Sequence, residues 1–211
     1  MPLRAMEDVL KRRLAGTLPG REAQLRFAPS PVRPGWRPGE AGDDTRAAAA
    51  LLLLYPRDER VWVPLTVRAS GLARHAGQIS LPGGVQDADE TLVDTALREA
   101  EEEIGVVRAD VRVLGELTPV HVIVSGFTLY PIVGVIDAPP AFAPAPDEVA
   151  EVLEVAIDEL RDASRIRRGT RIRGGVAVEY PYFDLLGHQV WGATAMVLGE
   201  FIHLLQDEQE I

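Results

Sequence analysis

Glu99, Glu102 and Glu103 stand at i, i+3 and i+4 in the run Leu97-Arg98-Glu99-Ala100-Glu101-Glu102-Glu103-Ile104-Gly105, so on a helix they share one side. At about 100° per residue, with Glu99 at zero, Glu103 falls at about 40° and Glu102 at about −60°. Leu92, Val93, Ala96, Leu97, Ala100 and Ile104 occupy about 20° to 160°. The three carboxylates therefore border an apolar stripe, whereas Asp94, Arg98 and Glu101 fall on the opposite side. Like-charge pairs at these spacings cost about 0.2–0.5 kcal/mol each, and acids at a helix C-terminus oppose the macrodipole by about 0.3–1 kcal/mol apiece. No basic residue nearby in sequence is expected to offset this. A divalent cation would reverse both penalties, and carboxylate oxygens without His or Cys select Mg²⁺ or Mn²⁺ over zinc. Glu99 and Glu103 are separated by about 6 Å along the axis, a span that Glu side chains can close around one ion. The competing reading is an ordinary solvated acidic helix end, which fits Asp94, Arg98 and Glu101 only.

Other elements must position this helix. It is predicted over 90–104 and closed by Gly105. Before it, Pro82-Gly83-Gly84 ends a brief strand at 78–81, and its glycines can take φ > 0 and let backbone approach a ligand. Apolar runs at 47–55 and 61–67 around polar 56–60 predict a hairpin of buried strands. Further strands are expected within 111–124, 129–136 and 151–157, then a short helix at 158–163, two late strands over 171–186 and a C-terminal helix at 192–205. Residues 5–14 predict a short peripheral helix that Pro19-Gly20 ends. Seven Pro and Gly residues between 29 and 44 predict an extended surface arm. Residues 138–146 form a loop with four prolines. The pattern implies an α/β or α+β sandwich, divided into an N-terminal helix and Pro/Gly-rich arm (1–45) and a main domain (46–206).

Composition excludes several classes. The 22 Lys+Arg against 32 Asp+Glu give a net charge of −10, which disfavours a general nucleic-acid binder held by phosphate contacts. The absence of Cys removes disulfide scaffolds, thiolate zinc sites and cysteine nucleophiles. The longest apolar run, 47–55, is far below the roughly 20 residues of a membrane span, and the charged N-terminus lacks a secretory pattern. The expectation is a soluble cytoplasmic protein without membrane partners, a homodimer being one assembly compatible with it.

Gly84, five residues, Glu90, seven residues and then Arg98 to Val106 resemble the 23-residue Nudix box, with Ala100 where a larger aliphatic is usual. Upstream, Leu65-Thr66-Val67-Arg68-Ala69-Ser70 and Leu72-Ala73-Arg74-His75-Ala76-Gly77-Gln78 are similar to the motif that precedes the box in the coenzyme A pyrophosphatase subgroup, and 191–195 are similar to that subgroup too. The likeness covers roughly residues 46–200.

The resemblance implies an α/β/α sandwich with a mixed central sheet and an Mg²⁺- or Mn²⁺-dependent hydrolase. Its metal-binding carboxylates would be Glu99, Glu102 and Glu103. Glu90 and Arg98 would orient the loop and helix, and Gly83 and Gly84 would border the substrate. The implied reaction cleaves the diphosphate of coenzyme A, or a derivative, to 4′-phosphopantetheine (or its acyl form) and adenosine 3′,5′-bisphosphate. Arg68 and Arg74 are candidates for the 3′-phosphate, since guanidinium binds phosphate bidentately. His75 and Gln78 are further substrate candidates, and Trp191 either stacks on adenine or anchors the core. Glu148 or Glu151 could supply a general base or an extra ligand, as could Glu102 or Glu103. Two alternatives stand beside this reading: a Nudix hydrolase for ADP-ribose or another nucleoside diphosphate derivative, and a non-catalytic nucleotide-sensing module.

Overall fold

Alternation along one strand organises the molecule. The computed structural model describes residues 1–43, 45–69 and 77–206, and in it the apolar run becomes the strand Arg46–Arg57. Ala50, Leu52 and Leu54 enter one buried cluster, while Ala49, Leu51, Leu53 and Tyr55 enter another. This is the period-two pattern of a strand covered on both faces.

In chain order the helices are α1 (Leu3–Leu14), α2 (Gly20–Arg26), α3 (Leu92–Ile104), α4 (Ile157–Arg161) and α5 (Ala193–Leu205). The strands of the main sheet are β1 (Arg46–Arg57), β2 (Arg60–Arg68), β3 (Ile79–Ser80), β4 (Gly83–Val85), β5 (Arg112–Glu116), β6 (Val120–Val122), β7 (Phe127–Val135) and β8 (Val149–Ala156). A separate antiparallel sheet holds β9 (Ile166–Arg173), β10 (Val176–Leu185) and β11 (His188–Trp191), three strands where the sequence pattern predicted two.

The main sheet is mixed. β1 runs parallel to β7, from Arg46 opposite Phe127 to Leu54 opposite Val135, and its other pairings are antiparallel. The predicted β1–β2 hairpin forms around Asp58 and Glu59, both at positive φ, the geometry of a two-residue turn whose twist matches the strands. Beyond Tyr55 opposite Trp62 the two strands part. β1 turns to β7 and β4, and β2 to β8 and β3.

Helix α3 closes one face of the sheet through Ala96, Ala100 and Ile104. On the other face lie α1 and α5, through Met6, Leu10, Val197 and Phe201. The result is the expected α/β/α sandwich with a mixed central sheet. Among the described residues no helix is long and apolar enough to cross a membrane.

Two expectations about the N-terminus are corrected. Helix α1 is not peripheral: Leu3, Met6 and Leu10 are buried in the same cluster as β1, because the apolar face of this helix covers that side of the sheet. Nor does Pro19-Gly20 simply stop a helix, since Gly20 begins α2. A Cβ on Gly20 would lie 2.7 Å from Thr118 Oγ1, and buried Glu200 of α5 accepts hydrogen bonds from Gly20 N at 3.3 Å and Thr118 Oγ1 at 2.6 Å. The Pro/Gly arm is irregular, as expected, and is tied to the body. Gly39 N donates to Gln24 Oε1, Trp36 Nε1 to the His121 carbonyl and Gly42 N to Thr128 Oγ1. Breakers exclude regular structure, yet the arm's polar groups still find partners on the body.

Phe27, just after α2, stacks on Phe183 with centroids 4.6 Å apart, and its ring crosses α5 at Gly199, where a Cβ would come within 2.5 Å of Phe27 Cδ2. A rigid ring cannot yield as a flexible chain does. Gly199→Ala is expected to lower stability by about 1–3 kcal/mol, read as a shifted midpoint in urea with an unchanged m-value.

Candidate active site

Helix α3 is fastened at both ends. Thr91 and Asp94 form a reciprocal capping box at its start, satisfying two otherwise orphaned N–H groups. At its end Gly105 takes φ 73°, and the Pro/Ala loop folds back so that Ala143 N and Ala145 N donate to the carbonyls of Ile104 and Glu103 at 3.0 and 2.9 Å. That loop thus closes the helix turn bearing Glu102 and Glu103.

Gly83 and Gly84 lie within β4, opposite Ala50 and Ala49 of β1. Neither has a positive φ, so the left-handed freedom of glycine is not used: glycine is needed here for space. A Cβ on Gly83 would come within 2.6 Å of Ala50 Cα, and one on Gly84 within 2.6 Å of Glu99 Oε2. The Glu99 carboxylate rests directly on the Gly84 backbone. Glu103 Oε2 accepts from Gly83 N at 3.2 Å.

The three box carboxylates differ in environment. Glu103 is 3% exposed, and burial pushes its pKa up to about 7, against the smaller opposing pulls of the Gly83 N–H and the Arg68 guanidinium. Glu99, half-buried, is also raised by burial, with Arg98 pulling it down. The Glu102 side chain is 57% exposed. The charge of Glu148 adds a smaller upward push to both Glu99 and Glu103. Glu151 lies exposed on β8 opposite Val67.

Contrary to expectation, a basic residue does offset the acidic cluster. Arg98 Nη1 donates to Glu99 Oε1 at 2.8 Å and to Glu102 Oε2 at 3.0 Å, while its Nε and Nη2 donate to Glu90 at 2.7 and 3.1 Å. Nη2 also reaches the Val85 carbonyl at 3.3 Å. The long guanidinium side chain wraps back around the helix from the face where its Cβ sits. Its hydrogen bonds hold the Glu90 carboxyl down to about 2. Strand β4, the following loop and α3 are thereby tied to one side chain.

Among the described residues no three acidic or histidine side chains converge as a closed cation cage; Glu102 is drawn to Arg98 and Glu103 to Gly83. The donors still suit a hard dication. They are all carboxylate oxygens, and among the described residues buried Glu103 carries one hydrogen bond, at 3.2 Å, with Arg68 at 3.9 Å. Such a carboxylate is costly to ionise without further positive charge.

Gly83, Gly84, Arg68 and Gln78 border a cavity of about 460 Å³ between the main sheet, the N-terminal arm and the β9–β11 sheet. Trp191 lines it too. Arg74 and His75 lie outside the described residues. Not anticipated were Arg33, Trp36 and His121, or Arg171, Arg173 and Tyr180. The alternation of arginines at 167, 171 and 173 around Gly169 was a legible signal for a cationic strand face.

The profile of the NUDIX domain matches residues 44–172. The uncharacterized Nudix hydrolase NudL of Photorhabdus laumondii is 33% identical over 184 residues, 87% of this chain and 94% of that protein. The namesake of Pectobacterium atrosepticum is 38% identical over 150 residues, 68% and 74% respectively. Among solved structures, a MutT/nudix family protein from Enterococcus faecalis superimposes with TM-score 0.51 at 17% identity, over 78% of this chain and 63% of that one. The MutT protein from Methanosarcina mazei gives 0.50 at 18%, over 77% and 96%. Both share the fold.

Proposed function

The chain belongs to the Nudix hydrolase family, and from that premise we propose that it is a pyrophosphohydrolase dependent on Mg²⁺ or Mn²⁺, cleaving the diphosphate of coenzyme A or its derivatives. The observation that carries this reading is the packing of Glu99 and Glu103 against the Gly83–Gly84 backbone at the rim of the cavity. Glu99, Glu102 and Glu103 would hold the dication, whose chemistry is to neutralise the diphosphate oxygens and acidify the attacking water.

Other side chains prepare the reaction. Arg98 and Glu90 hold the β4–α3 loop and the Glu99 carboxylate in place. The Gly83–Gly84 backbone lets the Glu99 and Glu103 carboxylates lie against it at the cavity rim, where the diphosphate would sit. Arg68 supplies positive charge beside it, and Gln78 lines the same wall. Water attacks one phosphorus, forming a P–O bond as the bridging P–O bond breaks, and the departing phosphate carries the released electron pair. We assign removal of the water's proton to Glu148, whose charge is felt by both Glu99 and Glu103, ahead of Glu151. Glu102 and Glu103 stay as ligands.

The substrate is tested by comparing kcat/KM for coenzyme A, dephospho-coenzyme A and ADP-ribose with Mn²⁺ present. Coenzyme A is expected to be preferred by at least about tenfold, the worth of one charge-assisted contact. Equal rates on the first two would remove the coenzyme A assignment and leave a broader diphosphate hydrolase. Failure to release phosphate compounds from any of them would favour a sensing module.

The two glycines should separate fold from chemistry. Gly84→Ala displaces only the flexible end of Glu99, so melting is expected within a few degrees of wild type while kcat falls by about 10²-fold. Gly83→Ala meets β1 backbone and is expected to lower the melting temperature markedly. Equal effects on stability would show that Gly84 serves packing alone.

A further inference from the structure

Among the described residues the cavity beside the box is lined by four arginines, Arg33, Arg68, Arg171 and Arg173, and by no Asp or Glu, in a chain whose acids outnumber Lys and Arg by 32 to 22. Five buried side-chain nitrogen or oxygen atoms among the described residues have no hydrogen-bond partner, and three of them, Arg68 Nε, Arg171 Nε and His121 Nδ1, belong to residues of this cavity. Buried polar groups are paired in most folded proteins, so this concentration of unpaired nitrogen marks a place where a ligand completes the bonding.

Arg171 is held for that purpose. Its guanidinium carbon lies 4.3 Å from the Trp191 ring centroid and 5.4 Å from that of Tyr180. Gly169, opposite Tyr180 on the neighbouring strand, leaves room for the ring: a Cβ there would meet Tyr180 Cζ at 2.7 Å. Aromatic faces position a guanidinium without consuming its N–H donors. Elsewhere on β9, Arg167 and Arg168 pair with Asp184 and Glu179. Arg171, Arg173 and Arg33 make no ion pair among the described residues, whereas Arg68 already faces Glu103 at 3.9 Å.

We propose that Arg171 and Arg173 of β9, with Arg33 of the N-terminal arm, form a subsite for a phosphate monoester of the substrate, separate from the diphosphate held near Glu99 and Glu103. The assignment rests on the coenzyme A reading, in which this group is the 3′-phosphate. It moves recognition of that phosphate from Arg68 to the β9–β11 sheet.

The test is calorimetric titration of the metal-free protein with adenosine 3′,5′-bisphosphate and with AMP, which differ by that phosphate. Wild type is expected to bind the bisphosphate at least about tenfold more tightly. Arg171→Gln and Arg173→Gln should each bring the two affinities near parity while leaving that for AMP unchanged. Arg173, beside the Gly174-Gly175 turn, covers the case in which Arg171→Gln does not fold. A variant that keeps the wild-type preference, or weakens both ligands equally, overturns the subsite. The two readings fail separately. Wild type that hydrolyses coenzyme A but shows no preference for the bisphosphate loses the subsite alone. A preference that depends on Arg171, in a protein inactive on coenzyme A, retains the phosphate site and removes the substrate.

Discussion

Glu103→Gln is expected to abolish hydrolysis and, at the same time, to make the metal-free protein more stable above neutral pH. The loss should be at least about 10³-fold in kcat with folding intact, since metal charge stabilisation is worth several kcal/mol. Stability moves the other way because the native carboxylate is buried with a folded pKa of about 7 against an ordinary 4.5. A group raised in the folded state contributes stability that is fully present below its unfolded value and is lost as pH rises through its folded value. The window here is therefore pH 4.5 to 7, and the loss at pH 8 is up to about 3 kcal/mol. Glutamine has no such charge, and its carbonyl can still accept the Gly83 N–H. Melting curves with chelator at pH 4.5 and pH 8 should converge for the two proteins at the lower pH and separate at the higher. Adding Mn²⁺ should raise the wild-type curve and leave the variant's largely in place. A variant that is no more stable than wild type at pH 8 would show that Glu103 is satisfied without a cation.

Arg98→Ala should be the second most damaging change, although the residue touches no substrate in the proposed reaction. It removes two bonds to Glu90 and one each to Glu99 and Glu102, so carboxylates now held in place would repel one another unopposed. Partners that orient metal ligands are worth about 10–100-fold in affinity or activity, and a loss of that size is expected in both kcat and Mn²⁺ affinity. Arg98→Lys retains the charge but not the planar fork that reaches Glu90 and the helix together. If lysine restores full activity, charge alone mattered. If it does not, the geometry of the loop–helix tie is what Arg98 supplies.

How much of this could be read from the residues differs by element. Local chemistry was legible wherever neighbours in sequence carry it. The β1 run, helix α3 with Gly105 as its cap, and the placement of Glu99, Glu102 and Glu103 along the apolar stripe all follow from periodicities of two and 3.6. Even there the reach of a long side chain escaped the helical wheel, which fixes the direction of Cβ and says nothing of where a guanidinium ends. The reason for glycine at 83 and 84 was likewise hidden, because the clash it avoids is with β1 and Glu99.

Spacing along the chain alone determined that this protein carries a Nudix box on a capped helix within an α/β chain, since those interactions span at most a few residues. Tertiary packing decided that the Pro/Gly arm is a cavity wall, that the Pro/Ala loop caps α3, and that arginines from distant segments border one hollow. Burial and electrostatic pairing depend on distances in space between residues such as Arg33, Arg68 and Arg171, and only the folded chain sets those distances.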